Sequence, residues 1–338
     1  MTQQSNHPQP RCAVIILNWN GSRLLRRYLP SVSANTGAVG RVIVADNGSS
    51  DDSLRVLRSE FPRVEVWAFP ENYGFAGGYN RALSRALEQG YEYTVLLNSD
   101  VETPAGWLEP LVSFLDTHPE VGAVQPKILS DEHRDTFEYA GASGGFLDKH
   151  GYPYCRGRIF GTCEKDHGQY DDPIQVFWAT GAALTVRTRA YADAGGLDED
   201  FFAHMEEIDL CWRMQLQGWQ LWAVPQSVVY HLGGGSLPAG NPRKTYLNFR
   251  NNLLLLHKNL PDSTRRRKLF VRRLLDTVAW AKFVATFDWK NAAAVFRAHR
   301  HFSRMRKRYT AHPDVDLLDS RADCDILVDY YLRGRRTF

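Results

Sequence analysis

"RVIVADNGSSDDSLRVLRSEF", residues 41–61, holds the whole logic of the fold in one stretch. Residues 41–46 are a β-branched apolar run that stops at Asp46. Such a run reads as a buried strand. The Asn-Gly step that follows favours a turn. From Ser50 to Phe61 the apolar residues take helical spacing behind a Ser/Asp cap. Strand, polar turn and helix make one unit of an α/β sheet. The unit repeats on both sides. "CAVIIL" (12–17) and "SRLLRRYLPSVSA" (22–34) precede it. "VEVWAF" (64–69), "GGYNRALSRALEQG" (77–90) and "YTVLLN" (93–98) follow. Regular alternation predicts a parallel sheet wrapped by helices.

In such sheets ligands sit beyond the carboxyl ends of the strands. Those ends carry "NWNG", "DNGSSDDS", "PENYGFAGGYN" and "NSD" in turn. Four polar, glycine-rich or acidic ends on one edge predict an acid-lined cleft. The totals agree with a globular chain. Of 338 residues 43% are hydrophobic and 12% aromatic, enough for one large domain or two smaller ones and too much for wholesale disorder. Five scattered cysteines predict a reducing compartment and no structural zinc. The polar residues 1–10 read as a flexible N-terminus without an apolar signal core. No run approaches the roughly 18 apolar residues that cross a bilayer. The expectation is a cytoplasmic protein with no spanning helix.

Residues 130–172 are rich in Gly, Tyr and charge and lack a period. They read as long loops and short strands over the cleft. "IQVFWATGAALTVR" (174–187) reads as a strand pair or a bulged strand. A strand "LWAVP" (221–225), then "VVYHLGGGS" (228–236) and a helix near 243–258 close the pattern.

Between the last two strand regions lies "FFAHMEEIDLCWRM", residues 201–214, with three carboxylates set among large apolar side chains. As a helix from Glu206 to Gln217, it puts Glu206, Asp209 and Arg213 on one face, with Asp209 four before Arg213. Those two acids have a plain account: first-turn charge that suits the helix dipole, plus an ion pair. Glu207 leads the apolar stripe of Leu210, Cys211 and Met214, where desolvation raises a carboxylate toward a useful base. Asp100 follows a buried strand, where one carboxylate suits Mg²⁺ or Mn²⁺ shared with a substrate phosphate. Its alternative reading is a loop residue capping a helix near Pro104. His231 follows another apolar strand, and metal ligation beside Asp100 competes with a structural role. Asp46 can accept from a base or ribose donor, or simply shape its turn. The glycines of "NYGFAGGYN" (72–80) could cradle a diphosphate, although no Walker lysine accompanies them.

Taken together, "VIILNWNG", "VIVADNGSSDDS", "NYGFAGGYN", "LLNSD", "ATGAALTVRTRAYADAGGLDEDFFAHMEEIDLCWR" and "HLGGGS" resemble, in that order, the family 2 glycosyltransferases. The likeness runs from about residue 12 to 258 and looks nearest to the rhamnosyltransferase-like branch. It implies an α/β GT-A fold, a Rossmann-like mixed sheet flanked by helices. Residues 11–128 would form its nucleotide-sugar half and 129–258 its acceptor half, with 259–338 as a helical extension. By the same resemblance Asn18, Asn20, Asp46, Asn72, Gly77, Asn98 and Asp100 bind the nucleotide sugar. Asp100 and His231 hold Mg²⁺ or Mn²⁺. Glu207 is the catalytic base, with Glu206 and Asp209 as alternative base or support. "NSD" carries one carboxylate where the family's metal motif has two. Glu stands where the family more often has Asp, which leaves Glu206 and Glu207 both open as the base. The implied reaction is an inverting single displacement from a nucleotide-diphosphate sugar, rhamnose by preference, to a glycan or glycolipid acceptor. The rival class is a carbohydrate- or nucleotide-binding protein that kept the fold without turnover.

The extension is strongly basic, with 15 Lys and Arg against three Asp between residues 257 and 308. "RRRKLFVRRLLDTVAWAKFVATFDW" interleaves that charge with apolar residues at helical spacing. The pattern suits a helix lying on an anionic membrane, a peripheral attachment to the inner face of the cytoplasmic membrane. A solvated helix packed on the domain or on a second subunit is the competing reading. No nucleic-acid reader motif accompanies the charge, so no nucleic-acid partner is expected.

Overall fold

The computed structural model describes residues 10–233, 240–321 and 324–338. The flexible N-terminus expected at 1–10 and the glycines 234 and 235 of the His231 run therefore lie almost wholly outside the described residues. The first half alternates as the periodicity predicts: β1 (Cys12–Asn18), α1 (Ser22–Asn35), β2 (Gly40–Asp46), α2 (Ser53–Glu60), β3 (Glu65–Ala68), α3 (Gly74–Glu88) and β4 (Tyr93–Leu97). Next come β5 (Val101–Glu102), α4 (Glu109–Thr117) and β6 (Val121–Ser130). Residues 130–172 fold into short strands, β7 (Gly145–Leu147), β8 (Pro153–Cys155), β9 (Arg158–Ile159) and β10 (Thr162–Cys163), paired in a separate four-stranded sheet. β11 (Ile174–Gln175), β12 (Ala183–Arg187), α5 (Thr188–Asp193), α6 (Glu206–Leu216) and β13 (Gln220–His231) return to the main sheet. The long helices α7 (Pro242–Asn259), α8 (Asp262–Ala285) and α9 (Trp289–Met305) follow, and then the short α10 (Leu317–Arg321).

The main sheet has nine strands in the order β11-β13-β6-β12-β4-β1-β2-β3, with β5 on β13. β1, β2, β3 and β4 are parallel, and β12 enters antiparallel between β4 and β6. β13 runs parallel to β6. One edge of the sheet therefore collects the carboxyl ends of β1, β2, β4, β6 and β13 and the start of β12. Strand alternation fills both faces. Ala13 and Ile15 pack into one buried cluster, while Cys12, Val14 and Ile16 pack into the other. A strand buried on both faces needs this unbroken apolar run.

Two expected strands, 221–225 and 228–236, prove to be one. β13 crosses the irregularity between Ala223 and Val228 and continues to His231. The helix expected at Pro104 begins instead at Glu109, so Asp100 caps nothing and is free for another partner. The line at 128/129 between the two expected halves runs through β6.

Candidate active site

The loops at the ends of β1 and β2 are stitched together by their side chains. Asn18 Nδ2 donates to Asp46 Oδ1 at 2.8 Å and to Ser49 Oγ at 3.2 Å. The Ser49 amide donates to Asp46 Oδ2 at 3.1 Å. Asp46 is fully buried, so it shapes the loop from beneath. Asn20 accepts from the amides of Ser50 and Asp51 at 2.7 and 3.1 Å. Gly48 makes the turn with φ 70°, and a side chain there would meet the Glu71 carbonyl carbon at 2.5 Å. Asn72 Oδ1 accepts from Asn47 Nδ2 at 3.0 Å and from the Gly74 amide at 2.8 Å, which fixes the start of α3. Gly77 lies inside α3 against Glu199. Trp19, between the two asparagines, is left exposed on this edge.

One strand further on, Asp100 and His231 meet. Leu232 N donates to Asp100 O at 3.1 Å, which brings the end of β13 onto the loop after β4. His231 Nε2 then lies 3.1 Å from Asp100 Oδ1 and 3.4 Å from Asn98 Nδ2. Its other nitrogen, Nδ1, lies 3.1 Å from Glu138 Oε2. All three side chains are largely buried. Burial alone would lower the histidine's pKa. The two carboxylates prevail and raise it to about 10. Burial likewise opposes ionisation of Asp100, but the bond and charge of His231 hold it below its ordinary value.

A divalent cation is tested against this geometry directly. No three metal-ligating side chains converge on one point among the described residues. Asp100 Oδ1 and His231 Nε2 do form a pair. Adjacent donors on an octahedral ion with bonds of about 2.1 Å stand roughly 3 Å apart, and these two are 3.1 Å apart. The pair fits such an ion, with remaining positions left for phosphate oxygens and water. Glu138 lies at ion-pair distance from the far nitrogen without a well-aligned hydrogen bond, the side from which an outer carboxylate can orient a ligating imidazole. Glu138 escaped the sequence reading because it lies in a stretch without a period.

The acidic helix completes the edge. Gly181, just before β12, sits under Glu207, with its Cβ position 3.7 Å from the Glu207 Cβ. The neighbouring Ala182 carbonyl accepts from the Asn98 amide at 2.9 Å. Glu207 therefore lies beside the strand junction that also carries Asn98. Glu206 is buried and Glu207 half-buried. Each has one buried carboxylate oxygen, Oε2, with no hydrogen-bond partner. Burial pushes Glu207 up to about 7. Burial and the Glu207 charge push Glu206 well above its usual range. Asp209 is different. It is fully buried and saturated by Arg213 Nε, Lys258 Nζ and Asn259 Nδ2, each at 2.8 Å. It anchors α6 to α7 and has no reach to the cleft.

The approach to α6 is strained. Phe202, His204 and Met205 have φ of 67°, 69° and 73°, a conformation that non-glycine residues rarely hold. A clamp from α7 holds it. Asn251 Nδ2 donates to the carbonyls of Phe201, Ala203 and His204 at 2.7–2.9 Å. Arg250 Nη2 donates to the Phe201 carbonyl at 2.6 Å. Both are buried polar residues within an otherwise leucine-rich helix, the one sign of the clamp that the sequence carried.

Known proteins resemble this chain in sequence and in fold. Residues 13–170 match the family model described as Glycosyl transferase family 2. An N-acetylglucosaminyl-diphospho-decaprenol L-rhamnosyltransferase of Mycobacterium tuberculosis is 26% identical over 231 residues, 64% of this chain and 75% of that protein. A pre-mycofactocin glycosyltransferase of the same organism is 30% identical over 242 residues, 67% of this chain and 45% of that protein. Among solved structures, the mannosyltransferase PcManGT of Pyrobaculum calidifontis, in complex with GDP-Man and Mn²⁺, superposes with a TM-score of 0.51 at 16% identity. That match covers 89% of this chain and 85% of the other. GalNAc-T7 with UDP, GalNAc and Mn²⁺ gives 0.57 at 15% identity, covering 77% and 49%.

Proposed function

We propose that this chain, which belongs to glycosyltransferase family 2, moves a sugar from a nucleotide-diphosphate donor to a hydroxyl of a growing cell-surface glycan, with inversion at the anomeric carbon. Its fold is GT-A. The name of the mycobacterial relative supports rhamnose as the sugar and a lipid-diphosphate-linked acceptor. The observation that carries the reading is Glu207. It is a half-buried carboxylate with a pKa of about 7 and a buried oxygen without a partner, beside the strand junction that also carries Asn98.

In this reading the stitched loops around Asn18, Asn20, Asp46 and Asn72 frame the nucleotide, and Asn98 and Asp100 face its diphosphate. The Glu207 carboxylate accepts the proton of the acceptor hydroxyl. The hydroxyl oxygen bonds to the anomeric carbon while the bond from that carbon to the diphosphate oxygen breaks, and the electron pair leaves with the diphosphate. Mg²⁺ or Mn²⁺, when bound at Asp100 and His231, offsets the charge of that leaving group. The Mn²⁺ bound beside nucleotide or nucleotide sugar in the two similar solved structures supports such an ion. Glu206, buried and next to Glu207 in the chain, feels the Glu207 charge. Its charge-free form leaves Glu207 as the single ionised base, because two adjacent buried carboxylates do not ionise together.

Glu207→Gln tests the assignment. It should bind donor as the parent chain does and turn over about 10²- to 10⁴-fold more slowly, the usual worth of a general base. Unchanged turnover would remove Glu207 from the chemistry. A panel of nucleotide sugars, titrated with Mn²⁺, Mg²⁺ and chelator, names the donor.

A further inference from the structure

The outer side of the α8–α9 hairpin is inverted relative to a helix packed on a water-soluble domain. On α8 the charged pair Arg272 and Asp276 is buried, with Arg272 Nε 2.9 Å from Asp276 Oδ1. Phe270, Leu274 and Val278 are 64%, 52% and 69% exposed. Four-residue spacing aligns those three in one stripe. Arg266, Arg273 and Lys282 border it, all exposed. At the turn into α9, Phe287 is 77% exposed and Trp289 follows in the open. Phe296 continues the exposed side of α9 beside Arg297.

The positive charge of this region is not neutralised from within. Of its three acids, Asp262 pairs with Arg265 and Asp276 pairs with Arg272 and His299. Asp288 accepts from the Asn291 amide at the start of α9. Arg266, Arg273, Lys282, Lys290, Arg297 and Arg306 have no carboxylate partner among the described residues. A groove between the helices is lined by Arg265, Arg266, Arg273 and Arg306 around Leu269 and Phe302. In it Arg265 Nη1 is buried without an acceptor.

We propose that this side of the hairpin docks on an anionic lipid bilayer, with Phe270, Leu274, Phe287 and Trp289 entering the headgroup layer and the arginine groove taking a lipid phosphate. Aromatic and aliphatic side chains in one stripe, rimmed by Arg and Lys, are what an interfacial helix presents. Single-stranded nucleic acid calls for stacking platforms along a cationic track; the exposed aromatics here supply rings, but the aliphatic Leu274 and Val278 set among them are contacts that lipid, not a base, rewards. The inference rests on surface composition and is independent of the transfer reaction. Vesicle binding reads the one and donor turnover in solution reads the other, so either can fail alone.

The experiment is co-sedimentation of the full chain with phosphatidylcholine vesicles, with and without phosphatidylglycerol, at low and high salt. Binding is expected on the anionic vesicles only and should fall as salt rises. Each cation near such a surface is worth roughly fivefold in partitioning. Arg266→Ser with Arg273→Ser should therefore weaken binding about 25-fold. Leu274→Ser with Trp289→Ser should weaken it while leaving the salt dependence in place. Thermal unfolding and donor hydrolysis in solution, unchanged in both pairs, show that the variants are folded. Equal binding to neutral and anionic vesicles, or binding unmoved by the substitutions, overturns the proposal. A concentration-dependent dimer dissolved by the same substitutions also overturns it and gives the face to a second copy of the chain.

Discussion

Glu207 is held in a state that costs the fold something. Its pKa of about 7 stands above the ordinary value of 4.5. Between those values the folded chain binds more protons than the unfolded one, so this group's contribution to stability falls as pH rises, and the full penalty applies above pH 7. Glu207→Gln removes the penalty. The variant should gain about 1–3 kcal/mol above pH 7 and almost nothing near pH 4, read by denaturant unfolding at the two pH values. The same shift predicts the rate profile. Turnover of the parent enzyme should drop tenfold per unit below about pH 7, because the base must be ionised, and that limb should vanish in the variant. A pH-independent rate in the parent chain would point to another base. Glu138 makes a second residue-scale test. Glu138→Gln keeps the shape and removes the charge beside His231 Nδ1. Removal of an outer-shell partner typically costs 10- to 100-fold in metal affinity, so Mn²⁺ affinity, titrated in the presence of donor nucleotide, should fall by that order. An unchanged affinity would leave Glu138 as packing. Asp100 could be read from its place after an apolar strand. Glu138 could not, since its partner is 93 positions away and nothing local marks the contact.

At the scale of elements, the clamp on residues 202–205 explains how α6 presents its acids. A left-handed run of non-glycine residues unwinds unless its carbonyls are held elsewhere. The α7 pair Arg250 and Asn251 holds them. Asn251→Ala should cost about 1–3 kcal/mol, since it leaves buried carbonyls without donors. It should also lower turnover with donor affinity intact, because the stitched nucleotide loops do not touch it. Loss of donor binding in this variant would show that α7 supports both sides of the cleft. Helix periodicity placed α6 and α7 to within a residue or two at each end, and it placed the Asp209–Arg213 pair. It could not tell which acid faces the cleft. Glu206 and Asp209 share a helix face, yet α7 saturates only Asp209 through Lys258 and Asn259. That choice belongs to tertiary packing. β13 shows the same limit, since Pro225 hides the irregularity that joins two apparent strands into one.

For the molecule as a whole, the position of β12 has a consequence for folding. It comes from the second half of the sequence and lies between β4 and β6 from the first. Its partners are Leu97 through Tyr93 on one side and Val124 and Ala123 on the other. The alternating units of the first half were legible because each is local: a strand, its polar end and its helix fit within about thirty residues. The antiparallel insertion was not, because its pairing joins residues some ninety positions apart and a buried strand reads alike in either direction. A chain cut at 128/129 would sever β6 and leave β4 with an unpaired edge of fully buried residues. Neither fragment should fold alone. The first should be expressed insoluble, or as a chain without cooperative unfolding, although it holds the entire donor-side pattern. Denaturant titration of residues 11–258 as one piece should show a single transition by both tryptophan fluorescence and circular dichroism. Two resolved transitions, or a soluble fragment 11–128 that binds donor nucleotide, would mean that the sheet is assembled from two independent halves. One transition makes the candidate site edge a product of the closed sheet, since Asn98 after β4, Gly181 before β12 and His231 from β13 come together only when β12 is in place.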